Sequence, residues 1–573
     1  MPGRLNRPAP RSQALAAWLL LGLLALPQLW SLVRALQAAT HGDGWHALWQ
    51  DRQTLAALGL SLWTGLASSL LALAACATLL AHSSQPAALQ RLLRHQALLL
   101  ALPHAAFAIG LVLWIAPSGW LLRLLSPWAT GLQAPPPWPT TQDPWGLGLI
   151  AVLAFKETPF LLWAAGTQLL RPDVAQRLVR EQQVAASLGY APRAAWWRIV
   201  WPQLLPRLAA PLLAVLAYGL TVVDVAQIIG PAAPPPLAVL GWSWLREPMP
   251  EAQAMGAAAA WTLALAVALS AAVGWALLRA PLWRRWICQG APVPHTAQNP
   301  QAPAHARAGG VAVQGSRLGL GLLGLVYGAV LLALALGSIM GLWPFPALLP
   351  RHWSLAAWAT VADSASSLAT TLWLAAASAA CALLWVVAWL ELAPPAWQRR
   401  TQALAYGPLL LPGLLWAIGL HRLALDWGLD GQATGLWLAH TLACLPYVLL
   451  SCAAAYQGFD ARMAQLAATL GRSRWAFVWQ VKWPLLRAPL ALAFAVGFAV
   501  SVAQYLPTLY VGAGRYASVT TEAVALAAGG QRDLMAAFAW LQWLLPACVF
   551  VLAAWLGRPR RFVAAARLGT MYA

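Results

Sequence analysis

Charge is what this sequence has least of: 9% of its 573 residues are Asp, Glu, Lys or Arg, against 61% hydrophobic. A soluble chain of this length needs more polar surface, so most of this one faces lipid. Lysine is scarcer still, with Lys156 and Lys482 the only two. A phosphate-binding Gly-x4-Gly-Lys-Ser/Thr loop needs a lysine after glycine. Here the lysines follow Phe155 and Val481, which excludes an ATPase of that kind within the chain. The six cysteines (Cys76, Cys288, Cys381, Cys444, Cys452 and Cys548) form no CxxC pair, and all but Cys288 fall in apolar segments. They read as small buried hydrophobes, which excludes a disulfide framework or a metal site. The ten histidines are scattered, and neither a His/Asp/Glu cluster nor a nucleophile motif supports a membrane enzyme. No catalytic residue, metal or cofactor is expected in this chain.

Long apolar runs are abundant. A helix needs about 20 apolar residues to cross a bilayer, and that rule gives twelve spans: 14–36, 55–80, 97–115, 146–169, 209–229 and 254–278, then 318–340, 367–390, 403–423, 435–455, 490–509 and 534–556. The first follows Arg4, Arg7 and Arg11 as a signal peptide would, but it exceeds the length of a cleaved apolar core and is read as an uncleaved span. Residues 288–317, rich in Pro, Ala, Gln and Gly, read as a flexible cytoplasmic linker between a first repeat (1–287) and a second (318–573). The expected fold class is an all-α membrane protein of two parallel six-helix repeats.

The formal charge of +20 is a topology signal. With the N-terminus inside, 27 Lys/Arg fall on the inner side and eight on the outer, so both termini and the linker are expected in the cytoplasm. This reading leaves no role for nucleic acid. The third and ninth spans share a signature, Leu102-Pro103-x4-Ala108-Ile109-Gly110-Leu111 and Leu411-Pro412-x4-Ala417-Ile418-Gly419-Leu420. Its recurrence at the same ordinal span marks a duplication.

A second repeat lies in the loop after the fourth span of each half. Copy one runs Gln183-Val-Ala185-Ala186-Ser187-Leu188-Gly189, with Pro202 thirteen residues past the glycine. Copy two runs Gln465-Leu-Ala467-Ala468-Thr469-Leu470-Gly471, with Pro484 at the same spacing, so a single offset relates every position of the two copies. The residues before each glycine favour helix, and the glycine permits a sharp change of direction. Pro192 suits the first turn of the next helix in copy one, and Ser473 can cap its equivalent in copy two. The expected helix, turn, helix presents alanines and aromatics such as Trp196 and Trp475 to a partner.

This pattern resembles the EAA loop of binding-protein-dependent ABC importer permeases of the type I fold. The resemblance implies a bacterial inner-membrane permease subunit that forms the path for a small solute. It implies a periplasmic substrate-binding protein and two separate ABC ATPase domains as partners, coupled through the two loops. The matching positions are Ala185, Ala186, Gly189 and Pro202, and Ala467, Ala468, Gly471 and Pro484; Gln183 and Gln465 stand where the family carries glutamate. Fusion of two halves resembles the ferric-iron and thiamine branch. The segment Tyr505-Leu-Pro507-Thr508-Leu-Tyr510-Val-Gly512-Ala-Gly514-Arg515, with Thr521-Glu522-Ala523 after it, looks most like permeases assigned to thiamine transport. The alternative, a twelve-span secondary transporter driven by an ion gradient, gives these loops no role, and the loop 81–96 has neither glycine nor acid.

Charges within spans are costly, and are functional candidates by default. Lys156 sits roughly 15 Å and Asp224 roughly 8 Å from the outer ends of their spans at 1.5 Å per residue, so a Lys156–Asp224 tie between helices is the preferred reading, with a substrate path through Lys156, Glu157 and Asp224 the other. Gln504 and Tyr505 carry the same two readings.

Overall fold

The structure, a computed structural model, describes residues 11–40, 42–82, 89, 96, 99–281 and 304–558. The basic N-terminus, most of the loop before the third span, linker residues 288–303 with Cys288, and the basic C-terminal tail lie outside the described residues. Among the described residues the backbone is helix and loop, apart from one antiparallel bridge between Met340 and Trp353. Ten described helices are long and apolar enough to cross a membrane. An eleventh span is a pair, Arg474–Leu485 and Arg487–Val502, bent by 73°. The expected ninth span is instead three pieces, Gln402–Ala405, Gly407–Leu410 and Gly413–Asp426. Pro408 and Pro412 each remove a helical N–H, and the proline ring crowds the preceding turn.

Two more departures from continuous spans matter for the site. The fifth span runs Ala209–Thr221, breaks at Val222 and Val223, and resumes as Asp224–Ile229. The eleventh runs Arg487–Val502, breaks over 503–505, and resumes as Leu506–Val511. Asp224 therefore opens a short helix beyond a break, and Gln504 and Tyr505 occupy a break. The helix of the seventh span also starts early, running Ala304–Gly337. Residues 304–317 thus extend a helix where a flexible linker was expected.

The duplication is visible element by element. The resumed pieces start at 224 and 506, the next helices at 237 and 519, and the last spans at 250 and 532, each pair separated by the same offset as the repeated loops. In the fourth and tenth spans, helices Leu147–Leu169 and Ala433–Gln457, the intervals Gly148 to Pro159 and Gly435 to Pro446 match.

The halves embrace each other. The first span packs on Gly413–Asp426 of the second half, and the seventh on His104–Ile115 of the first. Here the signature glycines find their purpose. A Cβ on Gly419 would stand 2.5 Å from the carbonyl oxygen of Ser31, and one on Gly110 would stand 2.5 Å from Val330 Cγ1 and 3.0 Å from its carbonyl oxygen. Small residues let membrane helices approach until their backbones touch. The outer side of the first span, Leu15, Leu19, Leu23 and Leu26, stays exposed, as a lipid-facing surface does. At one end of the bundle Arg123 donates to the carbonyls of Ser118, Trp343, Pro344 and Ala347 and stacks 3.6 Å from the Trp343 ring, tying the halves again.

Gly419→Leu and Gly110→Leu are therefore expected to lower stability by about 1–3 kcal/mol each through overpacking. Gly324→Leu, where a Cβ meets nothing within 4 Å, should be nearly neutral. Thermal unfolding of the detergent-solubilised protein checks all three.

Candidate functional site

Each repeated loop begins with a helix, Pro172–Ser187 in the first half and Ala461–Thr469 in the second. In the first, Asp173 lies in the opening turn, where a carboxylate complements the helix dipole. The Arg171 guanidinium beside Asp173 holds its carboxyl below the usual carboxylate range. Both helices end in the same way. Gly189 has φ +85° and Gly471 φ +71°, the left-handed region that glycine enters without a side-chain clash. The Gly189 N–H bonds to the Ala186 carbonyl and the Tyr190 N–H to the Ala185 carbonyl, each at 3.0 Å. In copy two the Gly471 N–H bonds to Ala468 and the Arg472 N–H to Ala467, again at 3.0 Å. This is a Schellman cap in both copies. The Ala-Ala-x-x-Gly spacing is thus the spacing of the two capped carbonyls from the left-handed residue.

The second arm follows. Pro192 opens the helix Pro192–Ala195, and Ser473 caps Arg474–Phe477 by accepting the Ala476 N–H at 3.2 Å, as the sequence suggests. Both helices then widen into a π-turn, Trp196–Val200 and Val478–Lys482, immediately before Trp201-Pro202 and Trp483-Pro484. A proline ring would press on the carbonyl four residues back, and the wider turn relieves that contact. The fixed thirteen residues from glycine to proline therefore span one capped turn and one widened turn.

The exposed face also repeats. Val184 and Leu188 are 60% and 63% exposed, and their equivalents Leu466 and Leu470 are 58% and 72% exposed. Gln183, Gln465, Ala186 and Ala468 are exposed beside them, while Ala185 is buried and Ala467 half-buried. Trp475 is 51% exposed, as expected, but Trp196 is 1% exposed and corrects the expectation. It falls on the inner side of the π-turn, 6.4 Å from the Trp201 ring, and its equivalent Val478 is buried too.

The intramembrane charges form a different arrangement from the expected tie. Lys156 does not reach Asp224. Its ammonium donates to the carbonyls of Leu102 at 2.5 Å and Leu99 at 3.1 Å, with the Tyr327 ring centroid 5.4 Å away. Pro103 supplies no N–H and begins a new helix, so the turn before it leaves carbonyls without helical partners, and Lys156 satisfies two of them. Glu157 pairs instead with His104 at 2.9 Å, and the His104 ring lies 4.6 Å from that of Tyr218. Asp224 sits half-buried at the start of its short helix, near His104, Tyr218 and Tyr505. The Tyr505 hydroxyl donates to Gln227 Oε1 at 2.9 Å, so the break of one half meets the resumed helix of the other. Gln504 turns back, donating to the Val500 carbonyl at 3.2 Å.

His104, Tyr218 and Gln227 escaped the sequence reading. The available signals were a histidine directly after the signature proline and a glutamine three residues past the intramembrane aspartate. His440 was missed as well; it bridges Ser501 at 2.8 Å and Thr508 at 3.0 Å across the eleventh-span break.

The chain is a duplicated helical membrane bundle whose two halves carry the same capped loop and whose broken spans meet along polar side chains. Across 552 residues the chain is 34% identical to the inner membrane ABC transporter permease protein YnjC of Escherichia coli (strain K12), covering 95% of this chain and 97% of that one. The chain belongs to the ABC transporter permeases, and is a multi-pass inner-membrane protein. A shorter match, 27% identical over 108 residues, covers 19% of this chain and 42% of the spermidine/putrescine transport system permease protein PotC of Haemophilus influenzae. A scan of family models finds no match.

Lys156→Met is expected to cost about 1.5–3 kcal/mol, because it strands carbonyls bound by a charged donor. Adding Asp224→Leu should not restore the loss. Folded yield and thermal midpoint of the two variants measure this, and recovery in the double variant would reinstate the tie.

Proposed function

We propose that this chain is the permease subunit of an ATP-driven importer, receiving solute from a periplasmic binding protein and docking one ATPase domain on each of its two loops. The observation that carries the proposal is the pair of Schellman-capped loops, one at the equivalent place in each half, each presenting an i, i+4 apolar pair beside an exposed glutamine. On the distribution of basic residues, the loops and both termini face the cytoplasm. The coupling positions are Gln183, Ala185, Ala186, Gly189 and Pro202, and Gln465, Ala467, Ala468, Gly471 and Pro484. The capped alanine carbonyls and the glycines shape each loop, and Val184, Leu188, Leu466 and Leu470 make the contact.

The solute is a small cation, thiamine-like in preference to ferric iron. Glu157 pairs with His104, whose ring packs on Tyr218, and Asp224 opens the short helix whose Gln227 binds Tyr505, so two carboxyl groups share one region with two aromatic rings, a combination suited to an organic cation. Among the described residues no three His, Cys, Asp or Glu side chains gather as a metal-ligand set. The PotC relative is named for spermidine and putrescine, which are also organic cations. Lys156 supports the path by holding the turn before Pro103, while Gln504 and Tyr505 form its wall in the second half.

Co-purification tests the reading. Leu188→Asp with Leu470→Asp alters exposed side chains only, so the thermal midpoint should stay unchanged. Burying a leucine contributes about 1.5–3 kcal/mol, so retention of the ATPase subunit is expected to fall roughly tenfold or more for each loop altered. Gradient-driven uptake of thiamine by the chain alone, in vesicles without ATP, would overturn the proposal in favour of a secondary transporter.

A further inference from the structure

The two loops match in backbone and differ in what holds them. In the first half Glu181 ties the two arms of the loop to each other. Gln203 Nε2 donates to Glu181 Oε2 at 2.6 Å, and Arg177 donates to Glu181 Oε1 at 2.9 Å and to Gln203, all within the loop itself.

In the second half the fastening runs outward, to the last turn of the eighth span, Ala365–Leu392. Glu391 Oε2 accepts from Lys482 Nζ at 2.7 Å and from the Tyr456 hydroxyl at 2.7 Å. Arg474 donates to the Glu391 carbonyl oxygen at 2.6 Å and lies 3.4 Å from Oε1. The Trp483 indole donates to the Tyr456 hydroxyl at 3.2 Å, and the Lys482 ammonium stands 4.0 Å from the Tyr456 ring centroid. Lys482 belongs to the π-turn and Arg474 opens the helix before it, so Glu391 grips both ends of the loop's second arm, one chiefly through its carboxylate and the other chiefly through its carbonyl. Glu391 and Lys482 are largely shielded from solvent, where a charge losing its partner is far costlier than at an exposed site. At the equivalent positions the first half has Val200 and Pro192, which cannot make these bonds.

The eighth span packs against Ala433–Gln457, which carries His440 to the eleventh-span break, and against Arg487–Val502, which leads into that break. A displacement of the second loop is therefore delivered to the interior of its half by a direct charged link, as well as through the chain.

We propose that Glu391 is a positioning residue that locks the second coupling loop to the eighth span. Its carboxylate then passes the stroke of the ATPase from that loop to the span. This rests on the importer reading above, since the clasp has work to do only if an ATPase moves the loop.

The test uses the full permease with its ATPase, in a background without native cysteines. Nitroxide labels on Trp128→Cys and Trp427→Cys, exposed positions in the first and second half, report the distance between the halves before and after trapping with ATP and vanadate. In Glu391→Gln the ATPase should stay bound while most of the nucleotide-dependent distance change is lost. The exchanged pair, Glu391→Lys with Lys482→Glu, should recover it. Glu181→Gln in the first loop should leave the change in place.

An unaltered response in Glu391→Gln would overturn the clasp alone. So would an exchanged pair that folds, judged by an unchanged thermal midpoint, yet fails to recover the response. An unmodified permease that binds no ATPase would overturn the importer reading and the clasp with it.

Discussion

Inside a bilayer a backbone carbonyl or N–H released from a helix has no water to turn to, so every interruption of a span must bring its own partner. This chain interrupts its spans repeatedly, and at several of the breaks a side chain supplies the missing partner. Lys156 covers Leu99 and Leu102 before Pro103. Thr520 donates to the Val502 carbonyl at the eleventh-span break and accepts from Gln542 at 2.7 Å. The first N–H groups of the helices Leu237–Arg246 and Val519–Gly529 are taken by Ser61 and Thr371, each at 2.9 Å. The last two bonds are equivalent across the duplication: a hydroxyl on the second span of each half caps the same helix start. Ordinary polar residues in these spans are thus largely committed to the backbone, and those left to face a solute are few.

That constraint separates what the halves share from what they do not. The breaks, the caps, the two loops and the crossing glycines Gly110 and Gly419, which let the halves approach each other, repeat. The charges do not. Aligning Pro159 with Pro446 sets Cys444 opposite Glu157 and Ala443 opposite Lys156, while the offset that relates the loops sets Leu506 opposite Asp224. Cys444 donates its thiol to the Gly497 carbonyl, a packing role. One half carries the ionisable groups of the proposed path, and the other contributes Tyr505 through its bond to Gln227.

Features that depend on local chemistry were legible in the sequence. A glycine at fixed spacing from two alanines is a helix cap whatever surrounds it, and Ser473 caps where it was expected to cap. Features that depend on which helices become neighbours were hidden. Val222 and Val223 are as apolar as their surroundings, so nothing in the composition marks a break there. Trp196 was expected outside because its loop is polar, but the π-turn changes the helical phase and carries the ring inward. Lys156 and Asp224 share a half-membrane by residue counting, yet the nearest unmet need of Lys156 was a pair of carbonyls exposed by a proline on another span. Opposite charges at similar depth were weaker evidence than an orphaned backbone group.

Joining the two halves in one chain removes a restriction that separate identical subunits would face. A homodimer must place the same residue twice around its axis, so a lone carboxylate in the path would become a facing pair, and Glu391 would clasp both loops or neither. Covalent fusion lets a single Glu157–His104 pair sit on one side and lets Glu391 clasp a loop carrying Lys482 and Arg474 where the other loop has Val200 and Pro192. The residues that stayed alike are those where backbone geometry leaves no choice. Those that diverged are the ones proposed to touch the solute or to carry motion from the ATPase, where two non-equivalent halves can do what two equivalent ones cannot.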